Sequence, residues 1–167
     1  MPIDTADIRI RRACPDDAKI LSLIIREAMI KYAGVSNIPG TLPSLTETVE
    51  DIGKYITEDT VLIAIISDEA VGTIRIRQVS QTEAEISRFA VLPEYQKSGL
   101  GAAIFSAAED ILKKARYESV FLHTSLDNRN LLNFYISRSF TVESESFSQG
   151  YRRGLLRKTV NLIFKTV

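Results

Sequence analysis

The run Glu85-Ile-Ser-Arg-Phe-Ala-Val-Leu-Pro-Glu-Tyr-Gln-Lys-Ser-Gly-Leu-Gly101 decides how the rest of the chain is read. Its first half has the apolar character of a strand, and Pro93-Glu94 turns it into Gln96-Lys97-Ser98-Gly99-Leu100-Gly101. Behind the loop, residues 102–116 place Ile104, Phe105, Ala108, Ile111 and Leu112 on one helical side. A strand, a glycine-bearing loop and a helix start gather main-chain N–H groups and the positive end of a helix dipole at one point. Such a point takes an anion, usually a phosphate. Gly99 and Gly101 lack a Cβ, so the backbone can turn sharply and approach a ligand closely.

On the amino-terminal side, Ile8–Arg11 alternates as a first strand, and Pro15-Asp16-Asp17 starts a helix whose apolar face is Ile20, Leu21, Ile24 and Ala28. Residues 33–46 hold two Gly and two Pro and form a loop. A short helix follows at about Leu45 to Tyr55, with Ser44 and Thr46 as caps. Val61–Ser67 and Val71–Gln78 read as a hairpin turning at Asp68-Glu69, ahead of strand four, Ala84–Leu92. On the carboxyl-terminal side come a strand at Ser119–Ser125, a helix at Asn128–Arg138, and a hairpin of Phe140–Glu145 with Arg157–Phe164. The order β-α-α-β-β-β-α-β-α-β-β predicts one mixed sheet covered by helices, an α/β (α+β) architecture, with no linker dividing residues 1–167 into two domains.

Composition narrows the function. Lys+Arg and Asp+Glu are both 21, so the net charge is zero, which argues against a nucleic-acid partner held by bulk charge. Met1-Pro2-Ile3-Asp4 has neither the basic nor the apolar segment of a secretory signal. Val61–Ile66, the longest clear apolar run, is far too short to span a membrane. The one cysteine, Cys14, permits no internal disulfide. A cytoplasmic protein with no membrane partner is the expectation, and no metal-ligand set is read from the sequence.

The opening run also resembles the acetyl-CoA motif of the GNAT family of N-acetyltransferases, Arg/Gln-x-x-Gly-x-Gly/Ala, which Gln96, Gly99 and Gly101 fit. Asn128, followed by Phe134-Tyr135 and then Ser139-Phe140, resembles the second family signature, an Asn, a Phe-Tyr pair and Gly-Phe; Ser139 stands where most members have glycine. The order of elements is similar over about Ile8 to Phe164. This resemblance implies the acyl-CoA N-acyltransferase fold, a mostly antiparallel sheet splayed between strands four and five. It implies that the loop amides of Lys97, Ser98, Gly99, Leu100, Gly101 and Ala102, with Gln96, hold the pyrophosphate of acetyl-CoA, the cosubstrate. It further implies a bulge in strand four, where the main chain of Phe89, Ala90 and Val91 pairs with the pantetheine arm and the Val91 N–H meets the thioester oxygen. Asn128 would touch the same arm while capping its helix.

Acyl transfer to an amine needs a neutral nucleophile and a proton for the leaving thiolate. Tyr135 matches the family tyrosine that supplies that proton; a packed helix-face aromatic is its other reading. Glu85 stands where some members carry the general base, acting directly or through a water that Ser87 could anchor. His123, the lone histidine, is the rival base. Arg75, Arg77 and Arg88 are either a surface ladder or contacts to an acidic acceptor, and Tyr151-Arg152-Arg153 is open in the same way. Tyr32, Asn37 and Tyr151 are expected to line the acceptor cleft, whose loops are 33–46 and 146–156. The expected acceptor is a primary amine of a small metabolite or of a peptide or protein, and the resemblance adds a homodimer through the final strands as an expectation. A non-catalytic acyl-CoA sensor is the alternative. A P-loop nucleotide site is excluded, because no Gly-Lys-Ser/Thr follows the loop glycines.

Overall fold

The computed structural model describes residues 4–160. Strand β1 (Ile8–Arg12) enters helix α1 (Ala18–Val35) through a 3-10 turn at Pro15–Asp17. Asp17 fixes that entry. Its carboxylate accepts both guanidinium arms of Arg11, at 2.8 and 2.9 Å, and the Cys14 N–H at 2.8 Å. Held chiefly by Arg11, the carboxyl titrates at about 2. Leu21, Ile24, Ile25 and Ala28 bury one side of α1, which runs past the loop start expected at residue 33.

Helix α2 (Val49–Glu58) begins later than the sequence suggested, because the reciprocal cap sits at Thr48 and not at Ser44 or Thr46. The Asp51 N–H donates to Thr48 Oγ1 at 3.1 Å while the Thr48 N–H donates to the Asp51 carboxylate at 2.8 Å, satisfying two otherwise orphaned donors. Strands β2 (Thr60–Ile66) and β3 (Glu69–Gln78) form the expected hairpin. Its turn is one residue earlier than expected, at Ser67 and Asp68, with φ of 49 and 64°, the hand that a two-residue hairpin turn prefers. Then come β4 (Glu83–Val91), α3 (Leu100–Lys114), β5 (Ser119–Ser125), α4 (Arg129–Ser137), β6 (Thr141–Ser146) and β7 (Arg153–Thr159). The last strand starts at Arg153, ahead of the expected Arg157, and its expected continuation to Phe164 lies outside the described residues.

The strands form one sheet in the order β1-β2-β3-β4-β5-β7-β6. Every neighbouring pair is antiparallel except β4 and β5. Helix α3 lies against the face carrying Gly72, Ile74 and Ile76. A Cβ on Gly72 would stand 2.5 Å from Ile104 Cδ1, so the missing side chain is what lets α3 settle on β3. Leu100, Ile104, Phe105, Ala108 and Leu112 are wholly buried there, each of the large side chains contributing about 1.5–3 kcal/mol. The opposite face meets α1 and α2, where Arg75 lies 4.1 Å over the Tyr55 ring and bonds Asp59 at 2.7 Å.

Candidate active site

Strands β4 and β5 pair only where Glu83–Glu85 meet Ser119–Phe121, and beyond that they part. The cause lies on the other edge of β4. Thr73 opposes Ala90 and Arg75 opposes Ser87, so Arg88 and Phe89 together stand against Ile74 as a bulge. Arg88 takes φ of 51°, a left-handed conformation that costs a residue with a Cβ about 1–2 kcal/mol. Its guanidinium is tied to Glu47 at 3.0 and 3.1 Å, which anchors the bulge to the segment before α2. A bulge bends its strand, and here it swings the end of β4 away from β5.

The Leu92 N–H donates to Val71 O at 2.9 Å. By the alternation of an antiparallel ladder, the Val91 N–H and C=O therefore face away from β3, into the opening. The carbonyl accepts the Gln96 side-chain amide at 3.0 Å, which clamps the loop onto the strand end and leaves the N–H looking into the gap.

Gly99 caps α3 with φ of 90°, and Lys97 before it is also left-handed. Ser98 Oγ donates to the Tyr95 carbonyl and accepts the Leu100 N–H at 3.4 Å, while the Ala103 N–H already bonds Gly99 O at 3.1 Å. Among the described residues the N–H groups of Gly101 and Ala102 have no acceptor. Two free amides on a helix dipole are the kind of groups that hold an anion. The Leu100 side chain is core, and its N–H is the one held by Ser98.

A cleft of about 370 Å³ runs from this loop. Phe89, Ala90, Val91, Gln96, Lys97, Gly101 and Asn128 line it; Ser98, Gly99, Leu100 and Ala102 shape the loop without lining it. Asn128 caps α4 by accepting the Leu131 N–H at 3.3 Å, and its Nδ2 donates to Ser36 Oγ at 3.2 Å, tying α4 to the end of α1.

A second chamber of about 290 Å³ holds Glu85, Ser87, His123, Thr124, Tyr135, Tyr151 and Arg153. The two chambers share Met29, Tyr32, Phe89 and Leu131, so they are the halves of one slot between β4 and β5. Tyr135 is 5% exposed, its ring set among Phe105, Phe134 and Phe140 at 5.6–5.9 Å between centroids. Burial pushes its phenol upward from 10, so the hydroxyl keeps its proton at neutral pH. Glu85 Oε1 accepts from Arg77 at 3.1 and 3.3 Å, while Oε2 lies 3.9 Å from His123 Nδ1. Burial first, and then Arg153, depress the His123 imidazole below its ordinary 6.5, leaving it neutral at pH 7 and able to accept a proton.

Thr124 is a residue that the sequence reading missed. It is 2% exposed and lines the second chamber, its buried hydroxyl lying beside that of Tyr32. A threonine in an apolar strand gives no local signal of such a role. Tyr32 pins β5 by accepting the Ser125 N–H at 2.8 Å, and it lines both chambers as expected. Asn37 lines neither; it is exposed beyond the end of α1. Arg75, Arg77 and Arg88 are each spent on a carboxylate of this chain, Asp59, Glu85 and Glu47 in turn. No helix among the described residues is long and apolar enough to cross a membrane.

A family model, the acetyltransferase (GNAT) family, matches residues 36–140. The uncharacterised protein YyaT of Bacillus subtilis (strain 168) is 32% identical over 95 residues, which cover 56% of this chain and 62% of that protein. The chain thus spans less than two-thirds of that curated relative's length. Among solved structures, the PaiA N-acetyltransferase from Thermoplasma acidophilum in complex with coenzyme A matches with a TM-score of 0.77 at 21% identity, over 91% of this chain and 98% of that one. The ribosomal-protein-S18-alanine N-acetyltransferase from Escherichia coli matches with a TM-score of 0.78 at 16% identity, over 96% and 98%. At these identities the likeness to the two structures is one of fold.

Proposed function

The chain belongs to the GNAT family of acetyltransferases, whose model spans more than half of it, and from that premise we propose that it transfers the acetyl group of acetyl-CoA to a primary amine within a ternary complex. The observation that carries this reading is the slot, with unbonded α3 amides beside its first chamber and Tyr135 lining its second. Its first chamber suits a long, flexible thioester with an anionic tail, and the structurally similar Thermoplasma acidophilum enzyme is in complex with coenzyme A, the thiol parent of such a thioester. The bound cosubstrate supplies an activated acetyl carbon and a thiolate leaving group.

The chain's own residues then divide the work. The Gly101 and Ala102 amides, with the α3 dipole, bind the diphosphate, and Lys97 adds charge at the mouth. The outward N–H of Val91 donates to the thioester oxygen as negative charge builds there. Phe89 and Ala90 hold the pantetheine arm along the strand edge, opposite Asn128. Glu85 Oε2, or His123 beside it, takes the proton that the ammonium must lose, through a water held by Ser87. The amine nitrogen attacks the thioester carbon, the C–S bond breaks, Tyr135 gives its proton to the departing sulfur, and the proton that the nitrogen sheds on becoming an amide restores the phenol.

Titration calorimetry with coenzyme A and acetyl-CoA, followed by a thiol-release screen over amines, tests this reading. Saturable binding and turnover on at least one amine class are expected. Absence of any binding would remove the proposal, and binding without turnover would leave a sensor in its place.

A further inference from the structure

Charge bookkeeping in the second chamber singles out Arg153. Five arginines of the described residues are half-buried: 75, 88, 138, 153 and 157. Four of them meet a carboxylate of the chain. Arg75 pairs with Asp59 at 2.6 Å, Arg88 with Glu47 at 2.5 Å, Arg138 with Glu109 at 2.8 Å, and Arg157 with both Glu83 and Glu143. Arg153 has no carboxylate or hydrogen-bond partner for its guanidinium among the described residues, although its neighbour Arg152 binds both Asp127 and Glu145. Withdrawing a guanidinium from water without a counter-charge is costly, so the one half-buried arginine that meets no carboxylate among the described residues is the one placed to receive an anion from outside the chain.

Its position supplies the reason. Arg153 opposes Ser125 across the β5–β7 ladder, one step beyond His123 on the same face, and lines the chamber with Tyr151, Gln149, His123 and Glu85. The chamber therefore has two poles. At one, Glu85 Oε2 faces inward with its other oxygen held by Arg77. At the other stands a cation whose fork fits two oxygens of a planar or tetrahedral anion. A purely cationic acceptor, such as a polyamine, would meet repulsion at this second pole. Resting on the acetyltransferase reading above, we propose that the acceptor is an amine that itself carries an anionic group: the amino end lies toward Glu85 and His123, and Arg153 binds the anion. Arg153 is thus the residue that selects the substrate class.

The test uses the full chain saturated with acetyl-CoA and panels of matched amines: aminocarboxylates, the corresponding aminophosphonates, and the neutral carboxamides of the same skeletons. Thiol release should favour an anionic member over its carboxamide by about tenfold or more in kcat/KM, as expected for a charge-assisted, two-pronged contact. The carboxylate and phosphonate arms show which anion is preferred. Arg153→Gln should bring that ratio to near one, through KM rather than kcat, and Arg153→Lys should restore part of it. Coenzyme A affinity should be the same in all three proteins, which reports that the variants are folded. In parallel, the free aminocarboxylates and aminophosphonates should raise the melting temperature of the coenzyme A complex in the wild type but not in Arg153→Gln, a readout that needs no turnover. Equal use of charged and neutral partners, a preference that survives Arg153→Gln, or no thermal shift with any anionic probe would each overturn the proposal. Failure to bind coenzyme A would instead overturn the acetyltransferase reading, so the two cannot be confused.

Discussion

The two chambers of the slot are built by different means. The first has walls of apolar side chains such as Met29, Val35 and Phe134, but its distinguishing polar groups are main-chain ones: the turned end of β4 and the free amides that open α3, on a loop shaped by left-handed Lys97 and Gly99. The second is made of side chains brought from β4, β5, α4 and the start of β7. Backbone groups are the same in any sequence, so a main-chain site can serve one shared cosubstrate across many proteins. Side-chain groups change freely, so the opposite chamber can differ from one family member to the next. The division between them runs through Phe89, Tyr32 and Leu131, which belong to both.

This contrast can be broken at either end, and the largest effect is expected in the side-chain chamber. Tyr135→Phe removes one oxygen and leaves the aromatic packing around Phe105 and Phe140 in place. Turnover should fall about 100-fold or more, as for loss of a general acid, while coenzyme A affinity stays within about twofold. Steady-state kinetics beside calorimetry measure the split, and unchanged turnover would remove Tyr135 from the chemistry. The reverse pattern is expected on the backbone side. Gly99 sits at φ of 90°, where no atom lies within 4 Å of a built Cβ, so Gly99→Val fails through conformation and not through a clash within the chain. A β-branched residue cannot hold that turn. The amides of Gly101 and Ala102 would lose their aim, and coenzyme A should bind about tenfold more weakly, roughly 1.4 kcal/mol, with turnover recovering at saturation. A folded Gly99→Val protein with wild-type affinity would show that the loop does not hold the anion.

The smallest expected effect lies outside both chambers and sharpens the contrast by touching neither. Ser139, where the second signature has glycine, ends α4 with φ of 75°. The Phe140 N–H bonds back to Tyr135 O at 3.2 Å, the closing geometry of a helix that prefers glycine at this point. Ser139→Gly should therefore raise the unfolding free energy by about 1 kcal/mol in a denaturant titration, with kinetics unchanged. A loss of stability would mean that the serine side chain has a compensating role.

How much could be read beforehand follows the same line. The loop from Gln96 to Gly101, the capping role of Asn128 and the element order were legible because each is written in a contiguous stretch with local physical meaning. Helix limits were blurred where competing caps lay close together; Thr48 prevailed over Ser44 and Thr46 because Asp51 could return its hydrogen bond. The arginines were not legible. Nothing local distinguishes Arg75, Arg77 and Arg88, each paired with a carboxylate, from Arg153, which has none among the described residues.

The sequence by itself determined a mixed sheet with helices and a glycine-bearing turn into a helix start, because hydrophobic period, glycine and helix-start chemistry act over a few neighbouring residues. Only the tertiary structure decided where β4 parts from β5, just after Glu85, that Thr124 is buried beside Tyr32 in that region, and that Arg153 shares a chamber with Glu85 and has no carboxylate partner among the described residues. Those facts depend on register and on pairings between residues far apart in the chain, and charge balance is settled only when the partners meet in space.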